Sequence, residues 1–511
     1  MSASPMHAVV IGAGFGGLAA AVRLRARGYR VTVLEANEQL GGRASVFRRD
    51  GYTFDAGPTV ITAPYLFDEL FATVGRRRED YFDLLPVDPF YRVVFHDQSS
   101  FDYVGDQDRM LDQIRTFNPA DVDGYLRLAD HARRIFDIGY AQLAHVPFDR
   151  LQDMMRVVPD MMKLENYRSV YSLVSKYLQD ERLRQVFTFQ PLLVGGNPFN
   201  TSSIYLLIHW LERKWGVHFA KGGTTAIIDA LARLLAELDV DVQTNAPVAD
   251  IEVDGRKVRA VRTERGERIP CDIVVSNADP SVVYTRMIAA RHRKHHTDAA
   301  VRRKKPSMSL FVIYFGARKT FPDLAHHTIL LGPRYKGLLT DIFDRRVLAD
   351  DFSLYLHAPT RTDPSLAPDG AEAFYVLSPV PNNRSGIHWA SEHERYKDKI
   401  LNALERRWLP GLSANIESVS AVDPRYFEGN QRSMAGAAFG LEPMLTQSAW
   451  FRYHNRSEDV HGLYFVGAST HPGAGVPGVL SSAKVLEAVI PDVPALRRLP
   501  LHTPLPRREV A

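Results

Sequence analysis

Residues 8 to 35, AVVIGAGFGGLAAAVRLRARGYRVTVLE, join an apolar run, a glycine cluster, an amphipathic segment and a second apolar run that ends on Glu35. That order predicts strand, tight turn, helix and strand. Gly12, Gly14 and Gly17 have the G-x-G-x-x-G spacing, and the acidic Glu35 follows at the distance a dinucleotide site requires. In such a unit Gly12 permits the sharp turn and Gly14 lets the backbone approach a pyrophosphate. Gly17 lets helix and strand pack closely, while the helix N-terminus offers unpaired N–H groups to the anion. Glu35 is placed to accept hydrogen bonds from ribose hydroxyls. The flanking strand (Ala8 to Ile11) and helical stripe (Leu18, Val22, Leu24) distinguish the motif from a chance glycine turn. They do not choose between NAD and FAD.

Three later elements favour FAD. Gly41-Gly42-Arg43 follows soon after Glu35, where flexible backbone and a guanidinium can close over a pyrophosphate from the side opposite the helix. YTFDAGPTV then places the rigid turn Gly57-Pro58, followed by Thr59, close to a flat ring. A nicotinamide enzyme has no need of either. Near the other end, a strand from Leu463 to Val466 runs through Gly467 into a helix that starts near Pro477-Gly478-Val479. Its N-terminus would lie beside the electron-rich edge of a reduced flavin. Gly222-Gly223-Thr224-Thr225 opens a further helix, and the alternating segment after it rejoins the first sheet. There the backbone of Val248 falls where it could read the adenine edge.

A chain of 511 residues divides into two or three domains. Cys271 is the single cysteine and reads as part of a buried strand, which excludes a disulfide, zinc ligation and a dithiol relay; no metal site is expected. Redox chemistry then belongs to a bound cofactor. A net charge of +4 carries no nucleic-acid footprint. The N-terminus lacks the pattern of a signal peptide, and no apolar run reaches the ~18 residues of a spanning helix, so a cytoplasmic protein is expected, free to lie on a membrane. Positive charge gathers at Arg291 to His296 and at Arg302 to Lys305. Such runs are either solvated loops or patches drawn to anionic lipid at about 1 kcal/mol per basic residue. QDMMRVVPDMM holds Met154, Met155, Met161 and Met162, fit either for an adaptable apolar surface or for a helix pair's own core. Asp153 and Arg156 would share one face of that helix, by itself a surface ion pair.

With VVIGAGFGGLAAAVRL, LEANEQLGGRA, YTFDAGPTVIT, LLVGGNPFNTSSIYLLIHWLER, LFVIYFGA, DFSLYLHAPT, LTQSAWFRYHNR and GASTHPGAGVPGV in order, the chain resembles the bacterial phytoene desaturases from residue 7 to 490. The first three motifs are shared by many FAD amine oxidases, whereas LLVGGNPF and THPGAGVPGV are specific to carotene desaturases. The resemblance implies an α/β fold: a Rossmann-type FAD-binding domain (1–104, 216–285 and 455–495), a helical lid or membrane-facing insert over the substrate tunnel (105–215), a mixed-sheet substrate-binding domain (286–454) and a tail (496–511) that reads as disordered.

The resemblance also implies FAD as the sole organic redox cofactor and phytoene and partly desaturated carotenes as substrates drawn from a membrane. Double bonds would be introduced stepwise towards neurosporene or lycopene, with oxygen or a membrane quinone as final electron acceptor. Flavin N5 would take a hydride while Asp153 or an ordered water receives the proton, with Arg156 keeping Asp153 ionised and oriented. Many related flavoproteins have an acidic residue after the C-terminal glycine. This chain has Gly467-Ala468-Ser469, which leaves the ribitol to backbone or to Ser469. Other readings are an FAD amine oxidase, a carotenoid isomerase or ketolase, and a non-catalytic isoprenoid-lipid carrier; the intact GGR and DAGPT elements stand against the carrier.

Overall fold

The computed structural model describes residues 5–493; the expected tail, 496–511, lies outside the described residues. His7–Ile11, Phe15–Ala26 and Arg30–Leu34 form the expected strand, helix and strand. They sit at the centre of a five-stranded parallel sheet whose order is Leu463–Phe465, Ile273–Ser276, His7–Ile11, Arg30–Leu34, Asp241–Gln243. The strands read as continuous apolar runs because both faces of the sheet are covered, one by helices and the other by a small antiparallel sheet. Helices Thr224–Glu237 and Val476–Val489 pack on Phe15–Ala26, through Leu18, Val22, Leu231, Leu234, Ala483 and Leu486. Val248–Asp254, Lys257–Thr263 and Arg268–Pro270 make a small antiparallel sheet beside this core.

The second large sheet has seven strands in the order Ile416–Val422, Ser309–Ala317, Glu372–Val380, Leu354–His357, His327–Leu330, Tyr91–Val94, Ser100–Tyr103. Its one parallel pairing, between His327–Leu330 and Tyr91–Val94, makes it mixed. The last two strands come from the segment assigned by sequence to the first domain, so the expected boundary at residue 104 is corrected. Tyr91, Val93, Phe101 and Tyr103 alternate as strand residues should, and all four are buried in the second core. Alternation identifies a strand without saying which sheet receives it.

Along Ser309–Ala317 the period of two separates two layers. Phe311, Ile313 and Phe315 pack beneath the helix Trp389–Arg407, against Trp389, Tyr396, Ile400 and Leu404. Leu310, Val312 and Tyr314 face the other way, towards the cavity described below.

Between residues 107 and 215 the chain is helical, as its texture predicts: Gln107–Phe117, Val122–Gly139, Leu151–Lys163, Val170–Tyr177, Glu181–Val186 and Leu207–Trp215. Asp106, Ser169 and Asp180 cap three of these through backbone N–H groups of the first turn. Leu151–Lys163 differs from its neighbours: it contains Pro159 and has no buried residue. Among the described residues no helix is long and apolar enough to cross a membrane.

Candidate active site

The loops after His7–Ile11, Ile273–Ser276 and Leu463–Phe465 all open at the carboxyl edge of the parallel sheet, where sheets of this type bind ligands. Gly12 adopts φ +90° and its N–H donates to Leu34 O at 2.8 Å. A methyl group on Gly17 would collide with the Gly12 carbonyl oxygen, so the close helix–strand approach expected of Gly17 is present. Glu35 is 5% exposed; its Oε2 accepts the N–H of Ala13 at 2.8 Å and its Oε1 that of Asn37 at 2.9 Å. Each oxygen keeps a lone pair for a further donor.

The two later elements close on this turn. Gly41 N–H donates to Ala13 O at 2.9 Å, which brings the GGR loop onto the glycine turn. A methyl group on Gly57 would in turn collide with Arg43 O, so DAGPT lies against GGR. The DAGPT turn is also tied from behind, where Asp55 Oδ1 accepts the N–H of Thr224 at 2.7 Å and Thr224 Oγ1 donates to Pro58 O at 2.9 Å. Thr59 Oγ1 lies 2.7 Å from the Tyr375 hydroxyl.

Helices Phe15–Ala26 and Val476–Val489 follow Gly14 and Gly475, and neither has a side-chain cap. Their first N–H groups and the positive ends of their dipoles are therefore open to an anion. Arg43 supplies a half-buried cation whose buried Nε has no hydrogen-bond partner, and desolvation holds its pKa below the ordinary value with Asp279 opposing. Two uncapped helix starts, an unpartnered guanidinium nitrogen and a carboxylate with spare acceptors fit the pyrophosphate, flavin and ribose of FAD. Arg43 with the first helix would hold the pyrophosphate, Glu35 the ribose, and the Gly475–Val479 start the flavin.

All of these groups belong to one continuous cavity of about 550 Å³. Gly12, Gly14, Glu35, Gly42, Arg43, Gly57, Pro58, Thr59, Val248, Gly467, Pro477, Gly478 and Val479 line it, while Gly17 lies buried behind the turn. Beyond the glycine loops the walls become apolar, with Leu310, Val312, Ile329 and Leu377 from the second sheet and Ile138, Leu192 and Ile208 from the helical segment.

Asp153 and Arg156, expected at the reaction centre, are not brought there. The cavity is lined by Met154, Val157 and Met161, which lie three and four apart on one face of Leu151–Lys163. Asp153 and Arg156 sit on the adjacent face, 3.7 Å apart, with the Arg156 side chain 78% exposed. The pair is a surface ion pair, and its expected role at the carbon chain is withdrawn. The helix carries methionines on two faces, so its pattern does not reveal which face turns inward.

Three residues that matter to the site were missed. Asn277 stands between the glycine turns, close enough that a methyl group on Gly14, Gly16 or Gly467 would strike its side chain. Asp279 lines the cavity and accepts a hydrogen bond from Ser469 Oγ at 3.0 Å. It brings a carboxylate to the place left without one by Gly467-Ala468-Ser469. Glu212 also lines the cavity; it is fully buried, its Oε1 accepts the Tyr91 hydroxyl at 2.7 Å and its Oε2 has no partner. Burial raises its pKa from 4.5 to about 8. The readable signal was a lone carboxylate in LLIHWLER, one turn from Ile208 on the apolar face.

The expected basic patch also divides. Arg291, Lys294, His295, Arg302, Arg303 and Lys305 are exposed, but Arg293 is buried and pairs with Asp298 at 2.6 Å. The backbone N–H groups of Lys294, His295 and His296 converge on the Asp459 carboxylate, and the His296 ring stacks on Tyr284 at 4.1 Å. Half of the RHRKHH run thus organises a loop around a buried anion.

The role of Glu35 gives a prediction. Glu35→Leu leaves the Ala13 and Asn37 N–H groups without acceptors and removes the carboxylate expected to hold the ribose. FAD affinity should fall on the order of 100-fold, with turnover of the FAD-saturated protein within about twofold of wild type. Flavin titration and assays at saturating FAD check both, and unchanged affinity with lost turnover would refute the assignment.

The family model for flavin containing amine oxidoreductase matches residues 15–485. The chain is 48% identical over 483 residues to the lycopene-forming phytoene desaturase of Pseudescherichia vulneris, an alignment spanning 94% of this chain and 98% of that protein. To the neurosporene-forming phytoene desaturase of Rhodobacter capsulatus it is 43% identical over 495 residues, covering 96% and 94%. Among solved structures, an oxidoreductase from Methanosarcina mazei superposes with a TM-score of 0.65 at 17% identity, covering 94% of this chain and 100% of that one. Putrescine oxidase bound to putrescine gives 0.63 at 17% identity, covering 95% and 98%, and both likenesses concern the fold alone. The fold is that of the FAD-dependent amine oxidases and the cofactor is FAD. The alignments run nearly end to end at identities far above those of the structural neighbours, and the chain belongs to the flavin-containing amine oxidoreductases and, among them, to the phytoene desaturases.

Proposed function

We propose that the chain is an FAD-dependent desaturase that converts phytoene and its partly desaturated products into more conjugated carotenes, neurosporene or lycopene. The observation that carries this reading is the single cavity, with FAD-type recognition groups at one end and an apolar lining over the rest. A polyene needs no polar recognition along its length, and the lining offers little. When bound, FAD supplies the acceptor for the hydride. The chain must then keep water from the allylic cation that hydride loss leaves, and must place a proton. The apolar walls serve the first need. Glu212, whose Oε2 is free of other bonds, is suited to the second, receiving the proton from the carbon beside the cation.

The substrate is delivered from a membrane surface. Leu151, Met155 and Met162 are 54%, 61% and 56% exposed on the outer side of the helix whose inner side lines the cavity. Phe451 is exposed on the segment packed against that helix, and Lys304 Nζ donates to Phe451 O at 2.9 Å. An apolar rim flanked by cations suits the headgroup boundary of an anionic bilayer. Electrons pass on to oxygen or a membrane quinone, since a single cysteine leaves no thiol pair to carry them.

Phytoene in liposomes, supplied to FAD-loaded protein under controlled oxygen, should give the stepped absorption of neurosporene or lycopene, and an unchanged spectrum would refute the proposal. In flotation with anionic liposomes, Met155→Glu/Met162→Glu should reduce the bound fraction about tenfold while FAD content stays at the wild-type level. Undiminished binding would remove this helix from the docking surface.

A further inference from the structure

His327 and His357 are cross-strand partners in the second sheet, and His326 directly precedes the first of those strands. The three side chains are 0%, 0% and 4% exposed. Their ring centroids lie 4.3, 4.8 and 5.3 Å apart, and one nitrogen from each falls within 4.8 Å of the others. The outer nitrogens of two rings are engaged: His326 Nδ1 lies 2.5 Å from Thr362 Oγ1, and His327 Nδ1 lies 2.7 Å from the Tyr355 hydroxyl. The Nε2 atoms of both, and both nitrogens of His357, are buried without a hydrogen-bond partner. Asp55 Oδ2 stands 3.8 Å from His357 Nε2, while Asp55 Oδ1 is occupied by the Thr224 N–H.

Buried polar atoms are nearly always partnered, and four unpartnered ring nitrogens in one place call for a ligand. Neutral imidazoles with a carboxylate suit a borderline divalent ion. We propose that His326, His327, His357 and Asp55 hold a tetrahedral divalent transition ion of the zinc type. The outer contacts are those of a built site: a ligating histidine donates its second N–H to an acceptor that fixes its tautomer, here the hydroxyls of Thr362 and Tyr355. Closure needs the nitrogens to draw in to roughly 3.3 Å, the edge of a tetrahedron with ~2.0 Å bonds.

With the Asp55 carboxylate drawn in from its place beside His357 as the fourth ligand, no position stays open and the ion is structural. The rings of Phe219, Tyr91 and Tyr375, at 4.8, 5.7 and 4.6 Å from His326, His327 and His357, shield it from water. It ties Asp55, and with it the DAGPT turn, to the second sheet. A reading confined to cysteine missed it, because its ligands lie in HHTIL, YLH and TFD, far apart in the chain.

The test is metal analysis of FAD-loaded protein purified without chelator from zinc-supplemented cells. About one zinc per chain is expected after gel filtration. Stripping with a strong chelator should lower Tm, zinc chloride alone should restore it, and cobalt chloride should instead give the visible bands of a tetrahedral site. His357→Phe, which keeps an aromatic ring in an aromatic surround, should lose the metal at least tenfold; His326→Gln repeats the test should that variant not fold. Metal below about one tenth per chain, with Tm insensitive to zinc, would overturn the proposal. So would wild-type metal content in a folded His357→Phe or His326→Gln protein.

Discussion

Gly17→Ala is expected to give a protein that is nearly colourless after purification and less stable by about 3 kcal/mol, at the upper end of overpacking costs. The added methyl group has no space, because the Gly12 carbonyl oxygen stands where it would go. That oxygen is backbone within the glycine turn and cannot swing aside as a side chain would. The helix Phe15–Ala26 must therefore back away from the strand, and its uncapped N-terminus leaves the place where the pyrophosphate binds. Gly429→Ala is the control: nothing lies within 4 Å of its new methyl group and its backbone is ordinary. Flavin absorbance per chain and thermal melts read both variants. A yellow Gly17→Ala protein with wild-type Tm would show that the close approach is dispensable.

Glu212→Gln should lower the desaturation rate on the order of 100-fold or more, the range over which a positioned proton acceptor acts, with FAD bound as in wild type. The wild-type rate should rise with pH up to about 8 as the carboxyl ionises, and the residual rate of the variant should lack that rise. Stability should move in the opposite sense. The folded pKa of Glu212 is raised above the ordinary 4.5, so between 4.5 and about 8 the native state holds a proton that the unfolded chain has released. The stabilisation is complete below 4.5 and is lost as pH climbs through about 8. Glu212→Gln should abolish this slope and melt higher than wild type at the alkaline end. A full rate in the variant would remove Glu212 from the chemistry. An unchanged Tm slope would show that the carboxyl is not the buried neutral group described.

The cofactor end of the cavity was legible because each of its parts is local. A glycine turn, its helix and Glu35 lie within one short stretch, and GGR and DAGPT follow within sight of it. The groups that escaped depend on distant segments meeting. Asn277 acquires meaning only between Gly14 and Gly467, and the three histidines only once two strands pair. Tyr91–Val94 read as a strand but not as a member of the second sheet. Asp153 and Arg156 failed for a different reason: with methionines at 154, 155, 161 and 162, the helix has apolar residues on both sides, and the phase that decides which charges point inward is undetermined. Glu212 stands as the one carboxylate of an aromatic segment, and only the fold shows that this segment lines the cavity.

The parallel sheet that builds the cofactor site draws its strands from residues 7–34, 241–243, 273–276 and 463–465. During synthesis the fingerprint emerges from the ribosome first, yet the sheet's edge strand Leu463–Phe465 and the helix Val476–Val489 emerge nearly last. Joining ends so far apart in sequence is a slow, high-contact-order event. Until it happens the apolar walls of the cavity have no cofactor to close over. The sheet edge that completes the cofactor site is therefore made last, and a chain still waiting for it exposes apolar cavity walls to other chains.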